Sequence, residues 1–307
     1  SGPPVFFVVR DLDVTQREYQ QEICGRFTTC DKFSLANILE QEFKRLKKSM
    51  IAEPTSNWLD DFLTWLNPDL DQCCRFKKLS LFEIPQFCAP NDPERQCQTC
   101  FADHDPPYDA NMNGFPQGDE FMFYFNQWIQ EPSDPCPLGG KAPYGNSISR
   151  TESKIDASYF RTSHTPLRSQ DDFIAAYRNS IRIVDEIKQL IPGLNIFSWS
   201  PFYIFFVQYL HIVGLTFSLI VGAIAIIWVV CTVLLGSVRS STVMTITIAS
   251  IMIDIGGVLA LWDISLNAVT LVNLVICCGL AVEFTIHLTR AYTVSKVSIF
   301  ELSLIHI

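Results

Sequence analysis

From Ile212 to Val238 the chain carries no charged side chain. At 1.5 Å per residue, a helix of that length crosses a hydrocarbon core of about 30 Å. A second apolar stretch, Ser240 to Trp262, is broken only by Asp254, and a third, Ile264 to Val282, runs on through Glu283 and His287 to Arg290. Three such stretches in tandem predict membrane spans over 212–238, 240–262 and 264–292 rather than buried helices of a water-soluble core. Charge follows the same division. Of 23 Lys and Arg residues, only Arg239, Arg290 and Lys296 lie beyond residue 200. Of 32 acidic residues, only Asp254, Asp263, Glu283 and Glu301 do. The first 200 residues, with 20 basic against 28 acidic groups and a net charge of −8, read as a water-facing domain. An acidic balance without a basic cluster excludes a nucleic-acid partner.

Orientation follows from the short connections. The first, around Ser237, carries Arg239, and Arg290 with Lys296 follows the third span, whereas Asp263 has no basic neighbour. The positive-inside rule puts the first connection and a tail at 293–307 in the cytosol, with residues 1–211 on the opposite side. That placement bears on the cysteines. Eight of the 11 lie in the outer part: Cys24, Cys30, Cys73, Cys74, Cys88, Cys97, Cys100 and Cys136. In an oxidising compartment this number implies four disulfides, although eight cysteines allow about 105 connectivities. Cys97-Gln-Thr-Cys100 has zinc-ribbon spacing, a competing reading weakened by the adjacent Cys73-Cys74 and by the lack of a second C-x-x-C. Cys231, Cys277 and Cys278 fall in the spans and act as small apolar residues.

The outer part reads as α+β. Val5 to Val9 is a buried strand, and Ser34 to Lys48 and Trp58 to Leu66 are helical. Leu70 to Pro143, rich in Pro, Gly, Asp and Asn, is disulfide-pinned loop around a short helix near Phe121 to Ile129. Asp171 to Leu190 is the clearest helix, with Ser169 as its cap, Pro192-Gly193 as its stop, and Ile174, Tyr177, Ile181, Val184 and Ile187 as its core stripe. Residues 201–211 form an aromatic connector to the first span. G-x-S-x-G, H-E-x-x-H and P-loop patterns are all absent, so no enzyme, cofactor or metal is expected. His104 and His164 read as surface residues. The chain opens at Ser1 without an initiator Met or signal peptide, which predicts a start within a longer protein. Leu302-Ser303-Leu304-Ile305-His306-Ile307 reads like the translation of a transposase adaptor used in library preparation, which predicts that residues 302–307 are sequencing read-through, and His306 is given no functional weight.

Ionisable groups within the spans are the informative ones, because a central Asp costs about 2.5–3.5 kcal/mol even on the lenient insertion scale. Glu283 and His287, four apart, share a helix face reached through Asn273, Ile276 and Leu280. A carboxylate beside an imidazole can pass a proton. The plainer alternative is a pair near the cytosolic end whose side chains reach water, since Glu283 lies about 24 Å along a helix that starts near Asn267. Asp254, mid-span, is either a second relay carboxylate or a buried hydrogen-bonding group.

Several stretches resemble the large membrane-spanning Niemann–Pick type C sterol transporters. They include Trp262-Asp263-Ile264-Ser265-Leu266-Asn267, Gly279-Leu280-Ala281-Val282-Glu283-Phe284 and His287-Leu288-Thr289-Arg290 in the spans. Gly2-Pro3-Pro4-Val5, Trp58-Leu59-Asp60-Asp61, Cys73-Cys74-Arg75, Pro135-Cys136-Pro137-Leu138-Gly139-Gly140 and Pro201-Phe202-Tyr203 carry it through the outer part. The wording of Phe27-Thr28-Thr29-Cys30 is similar to the fungal, vacuolar form. The resemblance implies a place in the resistance–nodulation–division superfamily, whose two halves each carry a porter-like luminal α+β domain and an all-α transmembrane helix bundle. This chain then corresponds to the second half's luminal domain and three helices. Implied disulfides are Cys24–Cys30, Cys73–Cys136, Cys74–Cys100 and Cys88–Cys97. Implied partners are a sterol lipid, the vacuolar or lysosomal membrane, a first half bearing a sterol-sensing domain, and a small soluble luminal sterol-binding protein. Glu283 and His287 match the family's proton-coupling pair, with Asp254 a further relay candidate. Phe202, Tyr203, Phe205 and Phe206 are candidates for the sterol path. The function implied is sterol transport from lumen to membrane; a patched-like receptor or sterol sensor without net transport is the alternative. Asp263 departs from the family, which carries Gly there.

Overall fold

The computed structural model describes residues 2–78 and 85–294. The tail expected at 293–307 lies outside the described residues from 295 onward, and the adaptor reading at 302–307 lies outside them altogether. The chain divides into two units, Ser1–Tyr203 and Ile204–Ile307.

The first unit alternates strands and helices: β1 (Pro4–Arg10), α1 (Arg17–Ile23), α2 (Leu35–Lys44), α3 (Leu46–Ser49), α4 (Trp58–Trp65), β2 (Arg75–Lys77), β3 (Cys97–Thr99), α5 (Gly118–Trp128), α6 (Lys141–Tyr144), β4 (Ile148–Arg150), β5 (Ile155–Ser163), α7 (Gln170–Leu190) and β6 (Asn195–Trp199). Four strands form an antiparallel sheet in the order β4-β5-β1-β6, with Phe7 opposite Phe160 on one side and Ser198 on the other. Period-two alternation sends Val5, Phe7 and Val9 into the core, where each is at most 4% exposed. Phe6 and Val8 take the other face, where Phe6 meets the rings of Tyr159 and Trp199 at centroid distances of 5.0 and 5.6 Å.

Aromatic rings pack between α4 and α5 in the core. The Phe62 ring lies 5.0 Å from Phe121, 5.6 Å from Phe125 and 5.4 Å from Trp128, all four side chains being buried. Trp128 donates its indole N–H to the Leu138 carbonyl at 2.7 Å. A Cβ on Gly140 would lie 2.8 Å from that indole, so only glycine allows the approach. Four disulfides pin the loops: Cys24–Cys30, Cys73–Cys136, Cys74–Cys100 and Cys88–Cys97. The neighbours Cys73 and Cys74 thus reach different partners, and neither cysteine of Cys97-Gln-Thr-Cys100 keeps a thiolate for zinc.

α7 carries the expected cap as a full capping box: the Ser169 hydroxyl accepts from Asp172 N–H, and the Asp172 carboxylate accepts from Ser169 N–H. Its buried stripe is rotated from the expected one. Ala176, Ser180, Ile183, Val184 and Ile187 are buried, while Ile181 is 39% exposed. Small Ala176 and Ser180 let the helix approach β6, where the Ser180 and Ser198 hydroxyls meet at 3.2 Å.

The second unit holds α8 (Tyr203–Leu235), α9 (Val238–Leu261) and α10 (Ala268–Val294), where Tyr203 itself closes the first unit. Their 33, 24 and 27 residues correspond to about 50, 36 and 40 Å. The connector 201–211 is therefore mostly helix continuous with the first span. That helix stops at Leu235, short of Val238, because Gly236 turns left-handed at φ +62°. α9 and α10 meet through Met244, Ile248, Met252, Leu274 and Cys278, with Cys231 of α8 in the same cluster. Trp228 ties α8 to α9 by donating to the Thr242 hydroxyl at 3.1 Å. Between α9 and α10, Asp263 stands at φ +53°, a left-handed position that glycine adopts without cost and Asp tolerates better than most residues.

Candidate functional site

α10 begins where the Asn267 side chain accepts from Thr270 N–H at 3.0 Å. From there two faces run along the helix. Leu271, Leu274 and Cys278 are buried, and Ala281, Val282 and Ile286 continue the packed side. Asn273, Ile276, Leu280, Glu283 and His287 recur at intervals of three and four residues on the opposite side, and all are exposed. Glu283 stands about 22 Å from the start of α10, and His287 one turn further. Neither side chain has a hydrogen-bond or ion-pair partner among the described residues of the unit.

Asp254 belongs to another surface. α9 packs through Ser241, Met244, Ile248 and Met252. Asp254 is exposed on the other side of that helix, with Ile253 73% exposed beside it. α9 and α10 therefore do not bring Asp254 to Glu283 and His287; the pair shares one face and the third carboxylate stands apart. At the head of α8, Tyr203 and Phe206 are buried, whereas Phe202 and Phe205 are 42% and 58% exposed.

Two histidines expected at the surface fare differently. His104 stacks on Phe101 at 4.3 Å, and its Nε2 lies 3.0 Å from the Glu120 carboxylate. His164 corrects the expectation: it is 1% exposed. It follows the last residue of β5 in a segment without hydrophobic periodicity, so nothing in the sequence signalled its burial. Its Nδ1 faces the Met50 carbonyl at 3.2 Å and its Nε2 the Tyr203 hydroxyl at 2.9 Å. Burial pulls its pKa below the ordinary imidazole range, against the opposing pull of the Met50 carbonyl.

Asp60 is a second buried titratable group that the sequence did not mark. It accepts from Gly25 N–H at 3.1 Å and from the Asn57 amide at 2.9 Å, beside an Arg26–Asp61 ion pair at 2.7 Å. Burial pushes its carboxyl up to about 6 despite the Gly25 N–H and the Arg26 charge. Asp60 lies close to the Cys24–Cys30 sulfurs, but those are already bonded to each other and offer a cation nothing.

A disulfide-rich α+β unit joined to three helices of membrane-spanning length defines a multi-pass membrane protein with a large domain outside the lipid. No protein-family model matches the chain. It is similar to NPC intracellular cholesterol transporter 1 of Sus scrofa, 33% identical over 304 residues, which is 96% of this chain and 23% of that protein. Against NPC1-like intracellular cholesterol transporter 1 of Mus musculus it is 31% identical over 306 residues, 96% of this chain and 22% of the relative. Homolog 1b of Drosophila melanogaster is 29% identical over 304 residues, 95% of this chain and 23% of the relative. The chain is thus similar along its length to proteins named as NPC-type transporters, and it spans less than a quarter of the length of the curated relatives it matches.

Proposed function

We propose that this chain is the part of an intracellular sterol transporter that joins a luminal disulfide-bonded domain to three helices of the transport bundle. The observation that carries the reading is the match along 96% of the chain to proteins named for intracellular cholesterol transport. The cysteines support the luminal side: eight of them pair in four bonds, a pattern at home in an oxidising compartment. A vacuolar or lysosomal membrane is the location this implies. Sterol, apolar but for one hydroxyl, needs an apolar route with few polar contacts. Phe202 and Phe205, exposed before and within the first turn of α8, offer such a surface as the lipid leaves the domain. The proposed partners are the remaining length of the transporter, including a sterol-sensing half, and a small soluble luminal sterol carrier that docks elsewhere.

Proton coupling belongs to the same proposal. A carboxylate and an imidazole on one apolar helix face are costly in lipid without a partner, so the face of Glu283 and His287 is expected to meet polar groups of the other half. The test is sterol clearance from the vacuole by the full-length transporter with Glu283→Gln or His287→Ala. Clearance is expected to fall at least tenfold while the protein still reaches its membrane. Clearance at the unsubstituted rate in both variants would remove the relay and leave transport itself standing.

A further inference from the structure

His164 is a buried histidine with no part in the transport reading. Its backbone holds the start of the chain, accepting from Gly2 N–H and donating to the Pro3 carbonyl, both at 2.9 Å. Its ring joins two further places. Nδ1 reaches the carbonyl of Met50, the left-handed residue that ends α3 at φ +60°, and Nε2 reaches the hydroxyl of Tyr203, first residue of α8. A carbonyl only accepts, so Nδ1 carries the ring proton and the lone pair of Nε2 receives the Tyr203 O–H. Tyr203 is itself packed edge-on against Tyr177 of α7 at 5.2 Å, with the Ser180 hydroxyl in hydrogen-bonding reach. The whole assembly lies within the first unit.

We propose that His164 is a proton-operated latch: neutral, it clamps the head of α8 to the end of β5 and the cap of α3, and protonated, it lets that turn go. With both ring nitrogens protonated, Nε2 donates where it had accepted, and the Tyr203 proton must turn away. The added charge is buried against the Tyr203 hydroxyl of α8 and the Met50 carbonyl after α3, with Tyr177 and the Ser180 hydroxyl of α7 packed against Tyr203. Because burial holds the folded pKa below the unfolded value, the unfolded or released form binds the proton first. Stability at the latch is complete above about pH 6.5 and is lost as pH falls from there toward the folded pKa.

Hydrogen exchange of the full chain in detergent micelles tests this, read at the amides of His164, Thr165 and Tyr203 and corrected for intrinsic exchange chemistry. Between pH 7.5 and 5, protection is expected to fall about tenfold for each pH unit between the ordinary and the depressed pKa. In His164→Gln the same amides should show no pH-dependent loss. Tyr203→Phe keeps the ring but removes the donor to Nε2, so protection should already be reduced at pH 7.5 and vary less with pH. An unchanged loss in His164→Gln, constant protection in the unsubstituted chain, or an unaltered profile in Tyr203→Phe would each overturn the latch.

Discussion

The two units bury their aromatic and aliphatic residues in opposite ways. In the first, Trp58, Trp65, Trp128 and Phe62 are 0–1% exposed, and polar residues cover the outside. In the second, Phe284, Val233 and Ile253 are 73–77% exposed along helices whose cores hold only a narrow seam. One chain thus follows two solvent rules. In water, apolar burial drives folding at about 25 cal/mol per Å². In lipid that drive vanishes, and satisfied backbone hydrogen bonds with small-area packing hold the helices instead.

The largest test of this contrast makes the same truncation in both units. Phe62→Ala removes a ring surrounded by Trp65, Phe121, Phe125 and Trp128, and is expected to cost about 3–5 kcal/mol. Phe284→Ala, on the open side of α10, is expected to cost less than about 0.5 kcal/mol in micelles. Denaturant unfolding of each variant measures both. Equal losses would mean that the outer side of α10 is packed within this chain.

A charge inverts the ranking. Ile253→Lys, near the middle of α9, should raise the apparent free energy of membrane insertion by about 2.5–3.5 kcal/mol, read from glycosylation-tagged products in microsomes. Ile181→Lys on the outward side of α7 should change stability by less than about 0.5 kcal/mol. Insertion of the Ile253→Lys variant at the unsubstituted level would remove α9 from the lipid.

Acidity separates the units next. Asp60 has a folded pKa of about 6, above its unfolded value of 3.8, so the folded domain binds the proton first. Asp60 therefore costs stability above pH 6, and the cost lifts as pH falls toward 3.8. Between pH 7.5 and 5 this gain is on the order of 1–2 kcal/mol, and Asp60→Asn should abolish it. His164 pulls the other way over the same range, so the variant should lose stability on acidification while the parent keeps the Asp60 gain to offset that loss. Thermal midpoints across that range decide it; a variant that still gains stability at low pH would show that another group carries the effect.

Legibility divides along the same line. Charge-free length alone marks a span, so three long helices were readable from 212 to 292, while their ends were not. Residues 203–211 are less uniformly apolar than residues 212–235, yet α8 runs through both stretches without interruption. In the first unit, β1 was legible as a short apolar run and α7 from its cap and stop, although its buried stripe was not, whereas β5 and β6 were not legible. β5 sets buried Ser158 and Thr162 on the inner face with Phe160, so polar side chains there blur the alternation. Cysteine count points to four bridges, but which sulfurs meet depends on how the loops after α4 and α5 converge. Glu283 and His287 draw the eye in the sequence because a charge in an apolar run stands out. His164 and Asp60, among many polar neighbours, do not stand out; only burial distinguishes them.

Helix caps give the smallest effect and the finest distinction. Both α7 and α9 begin after a serine. At α7 the Ser169 hydroxyl accepts from Asp172 N–H at 3.1 Å, closing one of the four donors that any helix start leaves open. Ser237, before α9, makes no such bond to the backbone; its hydroxyl turns to Ser240 at 3.3 Å. α7 lies against water, which competes for its end, and only part of its circumference is buried. α9 beyond its first turn runs through a medium that offers the backbone no alternative partner, so its register does not hang on the cap. Ser169→Ala is therefore expected to cost about 1 kcal/mol and Ser237→Ala a few tenths at most, measured by hydrogen exchange in the first turn of each helix. A loss at Ser237 equal to that at Ser169 would mean that the start of α9 depends on its cap as a water-exposed helix does, and the contrast between the two units would not extend to their helix ends.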